Sequence, residues 1–205
     1  MKELFEMSAQ RLGLEMTLIN LIVCAGVAII YMRVFINFKD AKSQEDNKKK
    51  EVKSVVETAS MSAFFLVCGV LSVLKIGTYS FHSTYLNIFA IIIYIIGVIF
   101  NMLGRYYLGK NWGNNVIIYN DHTLVTNGVY RIVRHPLYAS IIWMIYAVGI
   151  LYQNYLVIIL NSVIFIPFMT YRANQEEKEL MITFEEYKDY KTRVWKFFPK
   201  LWRSK

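Results

Sequence analysis

Five long apolar runs, at residues 14–38, 59–76, 86–108, 136–152 and 155–171, govern what this 205-residue chain can become. About 20 apolar residues span a bilayer, and a spanning segment must satisfy its own backbone hydrogen bonds. With 56% hydrophobic residues the chain is too apolar for an ordinary soluble domain. Three prolines and ten glycines suit long helices rather than the turn-rich alternation of a β-barrel. The expected fold is therefore all-α: a polytopic integral membrane protein with about five transmembrane helices. Only Gln153 and Asn154 part the last two runs, which predicts a tight helical hairpin. Each of those runs is near the shortest length that can cross. Arg33 interrupts the first run near its end, where a long side chain can snorkel.

Charge orients this arrangement. Lys and Arg number six in 39–53, four in 105–136 and nine in 172–205, against Lys2, Arg11 and Lys75 on the other side. By the positive-inside rule the N-terminus lies outside, and the 105–136 loop and C-terminal tail share the cytoplasmic face. The net charge of +8 is thereby explained by orientation and anionic lipid, with no nucleic acid as partner. The 39–53 connector, with six lysines and four acids, reads as a solvated and partly helical loop. Cys24 and Cys68 lie within apolar runs and read as packing residues rather than as a disulfide or metal site. The polar stretch before the first run predicts no cleavable signal. In the tail, Leu180, Phe184, Tyr187, Tyr190 and Val194 recur at helical spacing, forming a stripe fit to lie on the interface or cap the bundle. Trp195, Phe197, Phe198 and Trp202 add an aromatic anchor. The chain reads as one domain, 1–205, with spans and a charged loop in 1–85 and the catalytic core in 86–205.

Chemistry concentrates in residues 122–138, HTLVTNGVYRIVRHPLY, wedged between membrane-length runs. Pro136 suits the first position of a helix, whose orphan N–H groups and positive dipole end can hold a carboxylate, with His135 at the mouth. Taken alone, Arg-His-Pro is also an ordinary structural helix start. Arg172 and Glu176 stand four apart and share a helix face, with Glu177 turned about 100° away. Alone they read as a surface ion pair, but directly after a span a charge with a fixed partner marks a site.

The HTLVxxGVYxxxRHPxY pattern, followed by RxxxEE at 172–177 and by FEEYKDYKTRV from Phe184, resembles the isoprenylcysteine carboxyl methyltransferase family over about residues 100–200. The first two spans match only in being hydrophobic, and the length is similar to the short prokaryotic members. The resemblance implies a methyltransferase using S-adenosyl-L-methionine. It implies cofactor contacts from His122, Thr123, Leu124, Val125, Tyr130, His135, Pro136, Leu137, Tyr138 and Glu176, and a substrate contact from Arg172. No metal is implied. The acceptor would be a lipophilic or lipidated carboxylate met within the membrane. Its tail would enter between spans, past Asn101 and Arg105. Glu185 stands where the family often has glycine, which affects a turn more than the chemistry.

Three alternatives remain open on the sequence. The methyl acceptor could be a phospholipid amine or a small thiol. A sterol-reductase-like enzyme shares some of the C-terminal pattern but uses a nicotinamide cofactor. A non-catalytic membrane protein would bind neither cofactor.

Overall fold

The computed structural model describes residues 2–42, 48–52, 55–80, 83–111, 116–119 and 123–200. Its helices are α1 (Lys2–Lys42), α2 (Val55–Val73), α3 (Thr84–Leu108), α4 (Pro136–Leu151), α5 (Tyr155–Leu160), α6 (Ile166–Thr183) and α7 (Tyr187–Arg193). A π-helical turn, Asn161–Phe165, joins α5 to α6 without a break. Three helical stretches are long and apolar enough to cross a membrane: Gly13–Ile36, Thr84–Leu108 and Tyr155–Thr183. Two shorter apolar helices, Ser60–Val73 and Pro136–Leu151, accompany them. The protein is thus a multi-pass, helical integral membrane protein.

The expected all-α character needs one correction. A two-stranded antiparallel ribbon pairs β1 (Lys48–Val52) with β2 (Val116–Tyr119). The connector read as a partly helical loop is helical to Lys42 and contributes a strand at Lys48–Val52. Strand pairing lies far apart in sequence, which a lysine-rich composition does not disclose.

The packing centre is α3 against α4. On α3, Ala90, Tyr94, Gly97, Asn101, Gly104 and Arg105 are buried along one face. Small residues there let the two backbones approach, as membrane helices require. A Cβ on Gly97 would sit 2.5 Å from Met144 Cγ, and one on Gly104 3.0 Å from Leu137 Cδ2. Ile19 of α1 joins Ala90, Tyr94, Met144, Ala147 and Leu151 in one apolar cluster. A second cluster unites α4, α5 and α6 through Ile142, Val157, Phe165 and Met169. Into it α2 sends Phe64, whose ring lies 4.8 Å from that of Phe165.

The hairpin between α4 and α5 forms as expected. Asn154 is fully buried at its tip. Its side-chain oxygen accepts from Val157 N at 3.2 Å, capping α5, while its Nδ2 donates to Ile76 O at 3.0 Å. Tyr79 N donates to Gln153 O and Tyr155 N to Gly77 O, each at 2.9 Å, so the segment following α2 is stitched to the hairpin.

The tail departs from one continuous interfacial helix. The chain turns extended at Phe184, and α7 restarts at Tyr187. Tyr187, Tyr190 and Val194 are buried with Leu124, Leu180, Met181 and Phe184 around them. The stripe caps the bundle instead of facing lipid headgroups, because the break lets the Tyr190 hydroxyl reach Tyr130 O at 2.5 Å. The aromatic anchor divides as well: Phe197 enters the core, while Trp195 and Phe198 stay exposed. Trp202 lies outside the described residues.

Candidate active site

His135 caps the start of α4 and Pro136 opens it, as the missing N–H of proline allows. The C-terminal segment fixes this entrance. Val133 and Trp195 form a parallel bridge, Arg134 N donates to Trp195 O at 2.8 Å, and His135 N donates to Lys196 O at 3.1 Å. A segment over 60 residues downstream thus builds the wall of the helix start.

Two adjacent acids on α6 meet this entrance. His135 Nε2 lies 3.0 Å from Glu177 Oε1, and its Nδ1 lies 3.4 Å from Glu176 Oε2. A carboxylate only accepts and a neutral imidazole has one donor alone, so both contacts are favourable together when the ring is the imidazolium. Burial works against that charge, but the hydrogen bonds and proximity of Glu176 and Glu177 outweigh it and raise His135 above the ordinary histidine range.

Glu177 is the deeper acid, its side chain only 1% exposed. Arg134 donates to its Oε1 from Nε at 3.1 Å and from Nη2 at 3.0 Å. Lys191 Nζ approaches Oε2 at 3.0 Å, and Lys196 Nζ approaches Oε1 at 3.7 Å. Arg134 also donates from Nη1 to Lys191 O at 3.0 Å and to Val194 O. Glu176, by contrast, keeps 26% of its side chain accessible. It accepts from the Tyr138 hydroxyl, and Arg172 Nε lies 4.0 Å away.

Arg172 is buried where α2 meets α6. Its Nε donates to the Tyr138 hydroxyl at 3.0 Å, and Nη1 faces the Met61 thioether at 3.6 Å. The guanidinium carbon stands 5.9 Å from the centre of the Tyr138 ring. That ring stacks on His135 at 5.7 Å and 10°.

The fold therefore brings His135, Tyr138, Arg172 and Glu176 into one cluster, joined by Pro136 at the helix start. Leu137 and Pro136 face Gly104 of α3. Tyr130 is buried beside them, its hydroxyl donating to Gly104 O at 3.4 Å. Burial pushes that hydroxyl well above the ordinary phenol range, so it stays neutral. Gly128 precedes it at φ +56°, where a Cβ would strike the Tyr107 ring at 2.2 Å. Thr123 sits apart from the His135 cluster: it exchanges hydrogen bonds with Asn111, whose Nδ2 donates to Thr123 O at 3.1 Å and whose Oδ1 accepts from Thr123 N at 3.4 Å. Leu124 packs under the α7 tyrosines, and Val125 is half-buried. His122 lies outside the described residues.

Sequence reasoning gave no role to Arg134 and a lesser one to Glu177, yet these form the buried centre. The signal was present: two basic residues at 134–135 and two acids at 176–177 are complementary neighbouring pairs on two segments of the chain. Asn101 and Arg105, read as flanking a lipid path, form a buried polar chain on α3. Arg105 Nε donates to Asn101 Oδ1 at 3.0 Å, and Asn101 Nδ2 donates to Ser140 Oγ at 2.9 Å.

Residues 90–182 match the family model described as the isoprenylcysteine carboxyl methyltransferase (ICMT) family. Among curated relatives is the protein-S-isoprenylcysteine O-methyltransferase of Dictyostelium discoideum, 37% identical over 39% of this chain and 34% of that protein. The Saccharomyces cerevisiae protein of the same name is 29% identical over 59% of this chain and 52% of its own length. A Bacillus subtilis protein named Uncharacterized protein YpbQ is 32% identical over 36% of this chain and 44% of its own. The chain spans between a third and about half the length of these relatives.

Proposed function

Because residues 90–182 make this chain a member of the isoprenylcysteine carboxyl methyltransferase family, we propose that it transfers a methyl group from S-adenosyl-L-methionine to the carboxylate of an isoprenylcysteine or similar lipophilic acceptor. The observation that carries this reading is the charge balance of the cluster. Among the described residues, Arg134, His135, Arg172, Lys191 and Lys196 pair with Glu176 and Glu177. Such an excess of positive charge at a helix start suits an anionic ligand.

The residues fit the cofactor's groups. Glu176 is the accessible acid and can accept from an ammonium group. The Tyr138 ring lies beside both Arg172 and His135, so it holds the cationic groups of the site together. When bound, S-adenosylmethionine supplies an electrophilic methyl group on a sulfonium centre. An acceptor carboxylate is already anionic, so the protein needs no general base; its work is alignment and exclusion of water. Arg172 holds the acceptor carboxylate. Its place between α2 and α6 suits an acceptor whose tail lies among apolar helices. The basic asymmetry puts this site on the cytoplasmic side of five spans.

Arg172→Lys keeps the charge and loses the fork. Methyl transfer from labelled cofactor to a prenylcysteine analogue is expected to fall by about 100-fold or more in kcat/KM, with cofactor affinity within about threefold of wild type. A tolerant variant, or a wild type that methylates a lipid amine or thiol but never the prenylcysteine, overturns the substrate assignment. Wild type that binds NADPH and not S-adenosylmethionine in calorimetry overturns the methyltransferase reading itself.

A further inference from the structure

We infer that Glu177 is a positioning residue: its carboxylate holds His135 as a double donor, so that the ring's other nitrogen keeps Glu176 aimed at the site, and it ties the 191–196 segment over the start of α4. This rests on the reading of Glu176 as a cofactor contact. Glu177 itself is buried behind its neighbour and serves the site through His135.

The geometry admits little else. One oxygen of Glu177 receives Arg134 Nε, Arg134 Nη2 and His135 Nε2 within 3.1 Å, and the other faces Lys191 Nζ at 3.0 Å. An acid that served only as a countercharge for Arg134 would not need the imidazole. With Nε2 committed to Glu177, Nδ1 is left to reach Glu176 Oε2. That oxygen belongs to the carboxylate whose Oε1 takes the Tyr138 hydroxyl, which in turn accepts from Arg172. A chain of ion pairs and hydrogen bonds thus runs from the tail lysines to the acceptor-binding arginine through two adjacent acids and one ring.

The charged and titratable groups facing that ring are Arg134 and Tyr138 beside it, Arg172, Glu176 and Glu177 from α6, and Lys191 and Lys196 from the C-terminal segment. Their arrangement favours the protonated ring, in line with its upward shift. Removing the Glu177 charge leaves the basic groups, which repel that proton.

The chain holds three histidines, so nitrogen-labelled histidine gives a simple spectrum, assigned by replacing each in turn. In wild-type protein in detergent, both His135 ring nitrogens are expected to carry protons at pH 7.5, where a free histidine is mostly neutral. In Glu177→Gln the ring should lose its proton at lower pH, and S-adenosylmethionine affinity should fall about tenfold at pH 8 and less at pH 6. Glu177→Asp, which keeps the charge, should restore part of both. A neutral His135 in wild type at pH 7 overturns the inference, and that measurement holds even where Glu177→Gln does not fold. So does a Glu177→Gln protein that leaves both ring titration and cofactor affinity unmoved. Wild type that binds no S-adenosylmethionine brings down the functional reading, and with it the role given to Glu177. Wild type that binds it with a neutral ring brings down this inference alone.

Discussion

His135 carries more of the site's organisation than any other side chain, since both of its nitrogens are committed to acids. Its raised affinity for a proton is also a statement about stability. Below the ordinary histidine value of about 6.5 the ring is charged folded or unfolded, and its two ion pairs contribute fully. As pH rises through the higher folded value, that contribution is lost. Lys196, which burial pushes below the ordinary lysine range, acts in the opposite sense near the alkaline end. Apparent melting temperature in detergent is therefore expected to fall between pH 6 and pH 8.5 in wild type, and to fall less steeply in His135→Gln. Equal slopes in the two proteins would show that the ring does not titrate with folding. Spacing put Arg172 and Glu176 on one face, and the resemblance grouped His135 and Tyr138 with them; the four side chains do meet. The place of Glu177 at the buried centre was not legible, for a physical reason. Helical geometry shows that it points about 100° from Glu176, but not that a distant segment waits on that side.

At the scale of elements, the turn between α4 and α5 does two jobs through one residue. Asn154 caps α5 and holds the segment following α2, so the short α4 gains a fixed neighbour on each side. Asn154→Ala leaves Val157 N and Ile76 O without this partner. A loss of about 1–3 kcal/mol in unfolding free energy is expected, measured by denaturant titration in micelles. Asn154→Asp, which keeps the cap and gives up the amide donor, should lose less; a larger loss would mean that the Ile76 contact dominates. The hairpin itself followed from its two-residue turn. The ribbon of β1 with β2, and the interruption of the tail at Phe184, did not, because each is decided by contacts with segments far away in the chain rather than by local periodicity.

For the whole molecule, the open matter is which way the bundle faces. Arg131 and Lys188 are exposed on the site's side, joined through the Tyr190 contact to Tyr130, while Tyr155 is exposed at the hairpin tip. With Cys24 and Cys68 replaced, single cysteines at Arg131 and Lys188 should react with an impermeant reagent only after the membrane is opened. One at Tyr155 should react in intact cells. The reverse pattern would invert the proposed orientation while leaving the fold intact. The parallel bridge of Val133 with Trp195 has a bearing on how such a protein comes into being. During synthesis Arg134 emerges 60 residues before Val194, the carbonyl it finally grips. The hydrophobic helices can enter the bilayer as they appear, since domains form in order from the N-terminus. The cluster around Glu177 cannot close until the last of those helices is through and the tail has folded back. A half-made chain sits in the membrane with its arginines and acids apart, so the cluster exists only when assembly ends.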